Sequence, residues 1–309
     1  MNLCDFEYIK QNINTSDLMG SDSCLANIYL LQPKYKTEIK IKDNVLYRKY
    51  FGTENRFGYA YPISLSRDEK YIKKALSEIF LKNPEIEDIS FCLCTQFQKN
   101  KIDECLRVNF PDYKIDWKTN RNDCDYVYLR KNLAELHGSI LQKKKNHISR
   151  FKRAYENQWE FKVFPEQDIL SDILKVEELW FEERSNDIEK SFDNHSLTLE
   201  KESIKIAVEN ADLFGLTGGV LYINGNPAAM CMAAKISDNV LDILFEKALS
   251  FAAENGAYAA INNLFVQSNP NYEYINREED MGVEGLRKAK LSYKPEILLD
   301  KFYGRIVKC

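Results

Sequence analysis

The 309-residue sequence contains no apolar run approaching the roughly 20 residues that a membrane-spanning helix needs. It begins MNLCDFEYIKQN, with neither a basic start nor an apolar stretch, so we expect no secretory signal. Its net charge of −4 excludes attraction of the whole molecule to nucleic acid, and any such contact must come from a local basic patch. These absences predict a cytoplasmic protein without a transmembrane segment.

The sequence also lacks a metal-ligand pattern. The three histidines show no ligand spacing, and the eight cysteines include no CxxC pair. Cys92 and Cys94 alternate within the apolar run ISFCLC, which is typical of a buried strand, where a free cysteine behaves as a small hydrophobic residue. We therefore expect reduced, structural cysteines and no metal site.

No linker rich in proline, glycine and serine interrupts the chain. Its length suits two domains of about 150 residues each, and without a linker the two should pack closely. We place the boundary so that residues 1–130 form the first domain and residues 131–309 form the second. A long helix predicted at Asn132–Asn157 then opens the second domain at the junction.

The second half has a legible order of elements. The turn Asn224-Gly225 between two apolar runs predicts a hairpin, because both residues accept the positive φ of a tight turn. The other predicted elements are a strand at Glu160–Phe164, helices at Asp168–Lys190 and Thr198–Asn210, a strand at Val240–Ala248, a helix opening near Gly256, a strand at Tyr272–Asn276, a helix at Val283–Ala289 and strands within Ile297–Val307.

This order is that of the GCN5-related N-acetyltransferase (GNAT) fold, and the first half has a compatible order. The fold class we predict is therefore α/β, with two GNAT-like domains in tandem whose mixed central sheets are flanked by helices.

The segment Lys143–Arg153, KKKNHISRFKR, carries six basic residues and no acid. Cations along one helical face can neutralise several phosphates in register, so this helix is a candidate site for tRNA, a nucleotide or a lipid headgroup. Alternatively, these basic residues form only the solvent-exposed face of an amphipathic helix whose apolar face packs in the core. His147 lies beside the apolar stripe and is predicted to pack. The candidate phosphate- or donor-binding residues are Lys143, Lys144, Asn146, Arg150 and Arg153.

A second charged segment, Asn276–Lys290, lies between a strand end and a helix, where α/β sheets bind ligands. A carboxylate here could orient or deprotonate an attacking amine or hydroxyl, and the candidates are Glu278, Glu279 and Asp280. Ordinary ion pairs on a surface helix cap are the alternative. The candidate substrate-binding residues are Asn276, Arg277, Glu246, Arg287, Lys288 and Lys290.

These residues also carry a resemblance. The stretch YINREEDMGVEGLRKAKLSYKP resembles the C-terminal signature of the bacterial phosphatidylglycerol lysyltransferase C-terminal family, NREEDxGxxGLRKAKLSY, and the run KKKNHI resembles the Lys-rich segment of that family. The resemblance covers nearly the whole chain and implies a tandem GNAT-like fold in a soluble member. The membrane-bound relatives transfer an aminoacyl group from aminoacyl-tRNA to a lipid headgroup.

We accordingly expect an acyl- or aminoacyl-transferase that acts on an amine or hydroxyl. The acceptor stays open between a small molecule, a peptide and a lipid headgroup, and the oligomeric state is also open. Acyl-CoA is a possible donor, but the region EKALSFAAENGAYAAIN lacks the Gln/Arg-x-x-Gly-x-Gly/Ala loop that cradles its pyrophosphate. The alternative is a non-catalytic binding module. A cavity shared by the basic helix and the acidic segment would favour the transferase hypothesis over the binding module.

Overall fold

The computed structural model describes residues 1–66, 68, 70–83, 85–187 and 194–309. The helices are α1 (Leu3–Asn12), α2 (Leu25–Leu30), α3 (Gln32–Tyr35), α4 (Tyr71–Lys82), α5 (Gln96–Asn109), α6 (Arg130–Glu135), α7 (Gln142–Ala154), α8 (Leu170–Asp187), α9 (Asn194–Glu209), α10 (Ala211–Phe214), α11 (Ser250–Ala253), α12 (Ala257–Ser268) and α13 (Glu284–Leu291).

The strands are β1 (Glu38–Lys42), β2 (Val45–Phe51), β3 (Phe57–Tyr59), β4 (Ile63–Ser64), β5 (Ser90–Thr95), β6 (Tyr113–Thr119), β7 (Asp125–Leu129), β8 (Trp159–Phe164), β9 (Thr217–Ile223), β10 (Asn226–Ser237), β11 (Val240–Ala248), β12 (Tyr274–Asn276), β13 (Ile297–Leu299) and β14 (Lys301–Lys308).

Two mixed sheets organise these strands. The first has the order β1-β2-β3-β5-β14-β6, with β4 paired to β2, and the second has the order β13-β7-β12-β11-β10-β9-β8. Among the described strands, each sheet contains one parallel step, β3 with β5 and β11 with β12, and its other pairs are antiparallel. Helices flank both sheets, so the predicted tandem GNAT-like α/β class is confirmed.

The two sheets exchange strands. In the second sheet, β7 comes from the first half of the chain and lies between β12 and β13. In the first sheet, β14 comes from the C-terminus and lies between β5 and β6. The chain changes sheets at Asp300, between β13 and β14. Each sheet is therefore completed by the other half, and the domain division 1–130 and 131–309 stays a prediction.

The predicted junction helix is interrupted, so its continuous form at Asn132–Asn157 was wrong. Helix α6 ends at Glu135. The next residue, Leu136, adopts a left-handed φ of 51°, and Gly138 follows with φ 83°. A short 3-10 turn, Ser139–Leu141, then leads into α7. Because a left-handed residue cannot continue a right-handed helix, α7 begins as a separate helix.

Other local expectations are confirmed. Asn224 and Gly225 have φ values of 51° and 75° and join β9 to β10, and β11 has the predicted bounds Val240–Ala248. The end of the helix predicted at Asp168–Lys190 lies outside the described residues. One buried apolar cluster packs β9–β11 against α1, α2, α8 and α9, and another packs the opposite face of that sheet against α7 and α12.

Candidate functional site

The parallel pair in the second sheet opens into a fork. Strands β11 and β12 pair over 240–242 with 274–276. Beyond that point β11 continues to Ala248, whereas the backbone amide of Arg277 donates to the carbonyl of Tyr126 on β7, at 3.0 Å. A cavity of about 500 Å³, which we call the fork cavity, lies where the strands separate. Its ionisable lining is Lys144, His147, Arg150, Tyr258, Glu246, Arg277, Glu278, Lys290 and Tyr293.

The fork cavity therefore joins the two charged segments of the sequence. Helix α7 supplies one wall, and the loop after β12 together with α13 supplies another. Gly256 allows α7 to come this close, because a β-carbon at this glycine would lie 2.5 Å from the carbonyl oxygen of His147. Its φ of 98° likewise suits glycine. The shared cavity is the arrangement that the transfer hypothesis requires.

Two of the five candidate residues on α7 line the fork cavity. Lys144 and Arg150 line the fork cavity, whereas Lys143, Asn146 and Arg153 are exposed and lie outside its lining. Asn146 accepts a hydrogen bond from Gln142 at 3.0 Å.

His147, which was predicted to pack, is a lining residue that our candidate set missed. Its position three residues after Lys144 and three before Arg150 is the signal in the sequence that could have identified it.

Lys144 has an unusual environment. Its Nζ lies 3.8 Å from the centre of the Tyr293 ring. Burial, reinforced by the neighbouring positive charges of Arg277 and Lys143, lowers the pKa of this amine to about 8. An anionic ligand would restore full protonation, so Lys144 is suited to meet a phosphate in the cavity.

Arg277 and Glu246 span the fork. An Arg277 guanidinium nitrogen donates to Glu246 at 2.8 Å, and Asn262 donates to the other carboxylate oxygen at 2.8 Å. The Nη1 atom of Arg277 is buried and has no hydrogen-bond partner among the described residues. Since a buried cationic donor without a partner is costly, this nitrogen is available to an anionic group of a ligand.

The backbone of the loop after β12 is fixed by two buried side chains. Asn276 donates to Asp125 at 2.9 Å and to the carbonyl of Met19 at 2.8 Å, and its oxygen accepts the backbone amide of Glu278. Lys290 donates to three successive carbonyls, those of residues 277, 278 and 279, at 2.5, 3.1 and 2.5 Å. Both residues therefore position the loop, while Lys290 also borders the fork cavity.

Asp280 has no exposed surface and is fully engaged. It accepts two hydrogen bonds from Arg287 at 2.8 Å, one from Tyr126 at 2.5 Å and one from the amide of Gly282. Burial opposes ionisation, but these donors hold the pKa of this carboxyl well below its usual range. Such a carboxylate anchors a turn and is a poor base. Lys288, on the same helix as Arg287, is exposed and outside the cavity lining.

Glu278 and Glu279 have opposite electrostatic environments. Burial would raise the pKa of Glu279, but Arg56, whose guanidinium lies 2.7 Å away, and Lys301 lower it to about 2. Burial and the charge of Glu279 raise the pKa of Glu278 to about 8. Asn27 donates to the Glu278 carboxyl at 2.8 Å. Of the three candidate carboxyl residues, Glu278 is the one that lines the fork cavity and exchanges a proton near neutral pH.

A second cavity, of about 640 Å³, lies between the two halves of the chain. We call it the interface cavity, because α2, α3 and Arg56 line it from the first half, and α8, α9, β11 and the loop after β12 line it from the second. Leu244 and Glu278 belong to the linings of both cavities. Two binding spaces thus meet at the carboxyl group with the raised pKa.

Most backbone amides in the connection from β11 to α12 have partners within the protein. The backbone amides of residues 252 to 256 donate to carbonyls within the same turn, and the amide of Ser250 donates to Glu183 at 2.9 Å. No group of three or more His, Cys, Asp or Glu side chains in the described part of the chain could hold a metal ion. None of the helices built from described residues has the length and hydrophobicity to cross a membrane.

Comparison with known proteins agrees with the sequence signature. Residues 14–304 match the family model described as Phosphatidylglycerol lysyltransferase, C-terminal. The chain belongs to this family. The resemblance inferred from the segment Tyr274–Tyr293 and the basic helix is thereby confirmed.

Three proteins similar to this chain differ from it widely in sequence. A protein of unknown function from Bacteroides thetaiotaomicron has a structure similar to this chain, with a TM-score of 0.82, 29% identity and coverage of 99% of this chain and 98% of its own. The C-terminal domain of a protein described as a lysylphosphatidylglycerol synthetase from Agrobacterium fabrum shares the fold, with a TM-score of 0.62, 12% identity and coverage of 98% and 92%. An uncharacterised protein of Mycoplasmoides gallisepticum is 25% identical over 221 residues, which is 68% of each chain.

Proposed function

We propose that this protein is an aminoacyltransferase that moves an aminoacyl group from aminoacyl-tRNA to an amine or hydroxyl acceptor. The observation that carries the proposal is the fork cavity, which joins the basic helix α7 to the loop containing Glu278. Family membership supports a GNAT-like transferase. The Agrobacterium domain belongs to a protein named for lysylphosphatidylglycerol synthesis, which supports an aminoacyl donor. A cytoplasmic location is part of the proposal.

The donor end of the reaction would occupy the fork cavity. Lys144 and Arg150 would bind phosphates next to the terminal ribose, and exposed Lys143 and Arg153 would extend the basic surface to the rest of the acceptor stem. The unpartnered Nη1 of Arg277 would donate to the oxyanion that develops on the ester carbonyl. The donor would thus be held by α7 and activated from the loop after β12.

Glu278 would act as the base. The acceptor would enter from the interface cavity, and its nitrogen or oxygen would attack the ester carbonyl carbon while Glu278 takes one proton from it. A new amide or ester bond forms and the ester bond to the ribose breaks. The proton then passes from Glu278 to the departing ribose oxygen, so that both charge and atoms balance.

Acyl-CoA is the other donor we considered. Its pyrophosphate is usually held by free backbone amides after the fourth strand of a GNAT fold, and here the amides of residues 252 to 256 are bonded within their own turn. This supports aminoacyl-tRNA as the donor and leaves acyl-CoA as the donor to test against it.

The test is a transfer assay with tRNA charged by each amino acid in turn, beside a panel of acyl-CoAs, using mixed amine, hydroxyl and phosphatidylglycerol acceptors. We expect labelled aminoacyl product from at least one charged tRNA, loss of that product in Glu278→Gln, and retention in Lys288→Ala, which changes an exposed lysine on α13. Tight binding of charged tRNA without product for any acceptor would instead establish the non-catalytic module. Transfer from acyl-CoA alone would overturn the donor assignment.

A further inference from the structure

The interface cavity has the opposite charge character from the fork cavity. Its lining contains four carboxyl groups and two cations. The carboxyl groups belong to Asp22, Glu200, Glu278 and Glu279, and the cations are Lys34 and Arg56. The fork cavity, in contrast, is lined by four cationic side chains and two carboxyl groups. A ligand with phosphates is therefore favoured on one side of Glu278 and disfavoured on the other.

The cations of the interface cavity are engaged by the protein. The guanidinium of Arg56 lies 2.7 Å from Glu279 and 3.6 Å from Asp22, and it stacks 4.6 Å from the centre of the Tyr35 ring. The Lys34 ammonium lies 5.5 Å from the same ring. A bidentate site for a phosphodiester needs a guanidinium with free donors. Arg56 is already paired with two carboxylates, so it is poorly suited to bind one.

The carboxyl group of Glu200 belongs to α9, which lines the interface cavity from the second half of the chain. Its Oε1 is 2.7 Å from the ammonium of Lys247, and its side chain is 33% exposed. Lys247 is buried and is also paired with Glu177 at 2.6 Å. Two carboxylates thus share one lysine, which leaves Glu200 with capacity for a further cation from solvent. Asp22, in contrast, is paired with the buried Lys301, which also pairs with Asp125, so the charge of Asp22 is already partly neutralised.

Apolar side chains line the same cavity as these carboxyl groups. Leu197, Leu244 and Phe245 line the interface cavity, and Met281 and Val283 at its edge are 61% and 53% exposed. A cavity lined by both apolar and acidic side chains suits a methylene chain with an amine at each end. One amine would face Glu278, and the other would face Glu200.

We infer that the acceptor taken by the interface cavity is an aliphatic di- or polyamine. The inference rests on the proposed function and names its acceptor class. One amine, in its unprotonated form, attacks the ester carbonyl of the donor, so that an N–C bond forms and the C–O bond to the ribose breaks. Glu278 takes the proton released by the nitrogen and returns it to the ribose oxygen. The second amine stays protonated beside Glu200.

The experiment compares acceptors with one charged-tRNA donor. Acceptors are 1,4-diaminobutane, spermidine, n-butylamine and phosphatidylglycerol vesicles. We expect kcat/KM for 1,4-diaminobutane to exceed that for n-butylamine at least tenfold, with no product on the vesicles. Transfer to vesicles but to no amine would overturn this inference while leaving the proposed function intact. Equal use of the mono- and diamine would also overturn it.

A pair of variants locates the second amine. Glu200→Gln should raise KM for 1,4-diaminobutane several-fold while KM for the tRNA donor and for n-butylamine stays unchanged. The matched control is Glu202→Gln, because Glu202 is exposed on the same helix and lies outside the cavity lining. An unchanged diamine KM in Glu200→Gln contradicts the inference. If no acceptor of any class gives product, the proposed function fails. Calorimetric titration with 1,4-diaminobutane then tests the diamine site independently of transfer. Specific binding that Glu200→Gln weakens supports the diamine site, and no binding overturns it.

Discussion

Glu278 and Glu279 are adjacent in the chain, yet their carboxyl groups have pKa values of about 8 and about 2. Desolvation raises the pKa of both carboxyl groups, so the difference comes from their partners. Glu279 lies 2.7 Å from the guanidinium of Arg56, whereas Glu278 accepts from the neutral amide of Asn27 and feels the charge of Glu279. Two neighbouring carboxyl groups whose environments separate their pKa values are suited to different roles, one structural and one in proton transfer.

The first prediction concerns the pH dependence of transfer. A base must be ionised, so the rate should rise as the pH increases through about 8, the pKa of Glu278. Glu278→Gln should lower kcat by about 10²–10⁴-fold, the usual contribution of a general base. Steady-state kinetics between pH 6 and 9.5 measures both effects, with exposed Glu284→Gln on α13 as the control.

The same residue gives a prediction for stability. Its pKa is raised from 4.5 to about 8, so the folded protein holds a proton that the unfolded chain releases above about pH 4.5. This contribution to stability is therefore lost as the pH rises from about 4.5 to 8. Urea unfolding should show Glu278→Gln gaining stability relative to the parent at pH 8 compared with pH 5. A pH-independent difference would contradict the assigned pKa.

The next prediction concerns Lys144, whose pKa is lowered to about 8. Its positive charge is present below that pH and is lost above it, so the affinity for tRNA should fall several-fold between pH 7 and pH 9.5. Lys144→Arg keeps its charge and should abolish that fall. Filter binding or fluorescence anisotropy measures the dissociation constants. Lys145→Arg, on the same helix but outside the cavity lining, should leave the pH dependence of the parent unchanged.

Asp280 should matter for stability rather than for chemistry. Asp280→Asn removes the paired carboxylate of Arg287 and leaves the Tyr126 hydroxyl with a weaker acceptor, so we expect a lower free energy of unfolding. Urea unfolding followed by tryptophan fluorescence would measure the loss. Asp238→Asn is the control, since the side chain of Asp238 is 91% exposed and its pair with Lys235 should contribute almost nothing. A stable Asp280→Asn protein without transfer activity would contradict this prediction and indicate that Asp280 takes part in catalysis.

Local signals in the sequence predicted local structure well. Asn224-Gly225 could be read directly, since few other residue pairs tolerate two positive φ values in succession. The strand exchange could not be predicted in this way. The sequences of β7 and β14 have ordinary strand composition, and their choice of sheet depends on contacts with residues more than a hundred positions away, such as β7 with β12 and β14 with β5.

For the candidate site, too, the sequence predicted the local segment but not its contacts with distant residues. The segment Asn276–Lys290 was identified from its charges and signature, but its three neighbouring acids could not be separated by role. They lie in an irregular loop in which Glu278 and Met281 adopt positive φ values of 54° and 51°, so no helical or strand periodicity relates the directions of their side chains. Their partners, Arg56 for Glu279 and Tyr126 for Asp280, come from the first half of the chain.

The close approach of α7 to α12 gives the last prediction. Gly256→Ala places a methyl group 2.5 Å from the carbonyl oxygen of His147 at a φ of 98°, so α7 must move away from the fork cavity. We expect a loss of about 1–3 kcal/mol of folding stability and a lower affinity for tRNA. Gly285→Ala is the matched control on α13, where an added β-carbon meets nothing within 4 Å. Because alanine favours a helix over glycine, this control should be neutral or gain about 0.5–1 kcal/mol. Parent-like tRNA affinity and stability in Gly256→Ala would mean that the position of α7 does not depend on this contact.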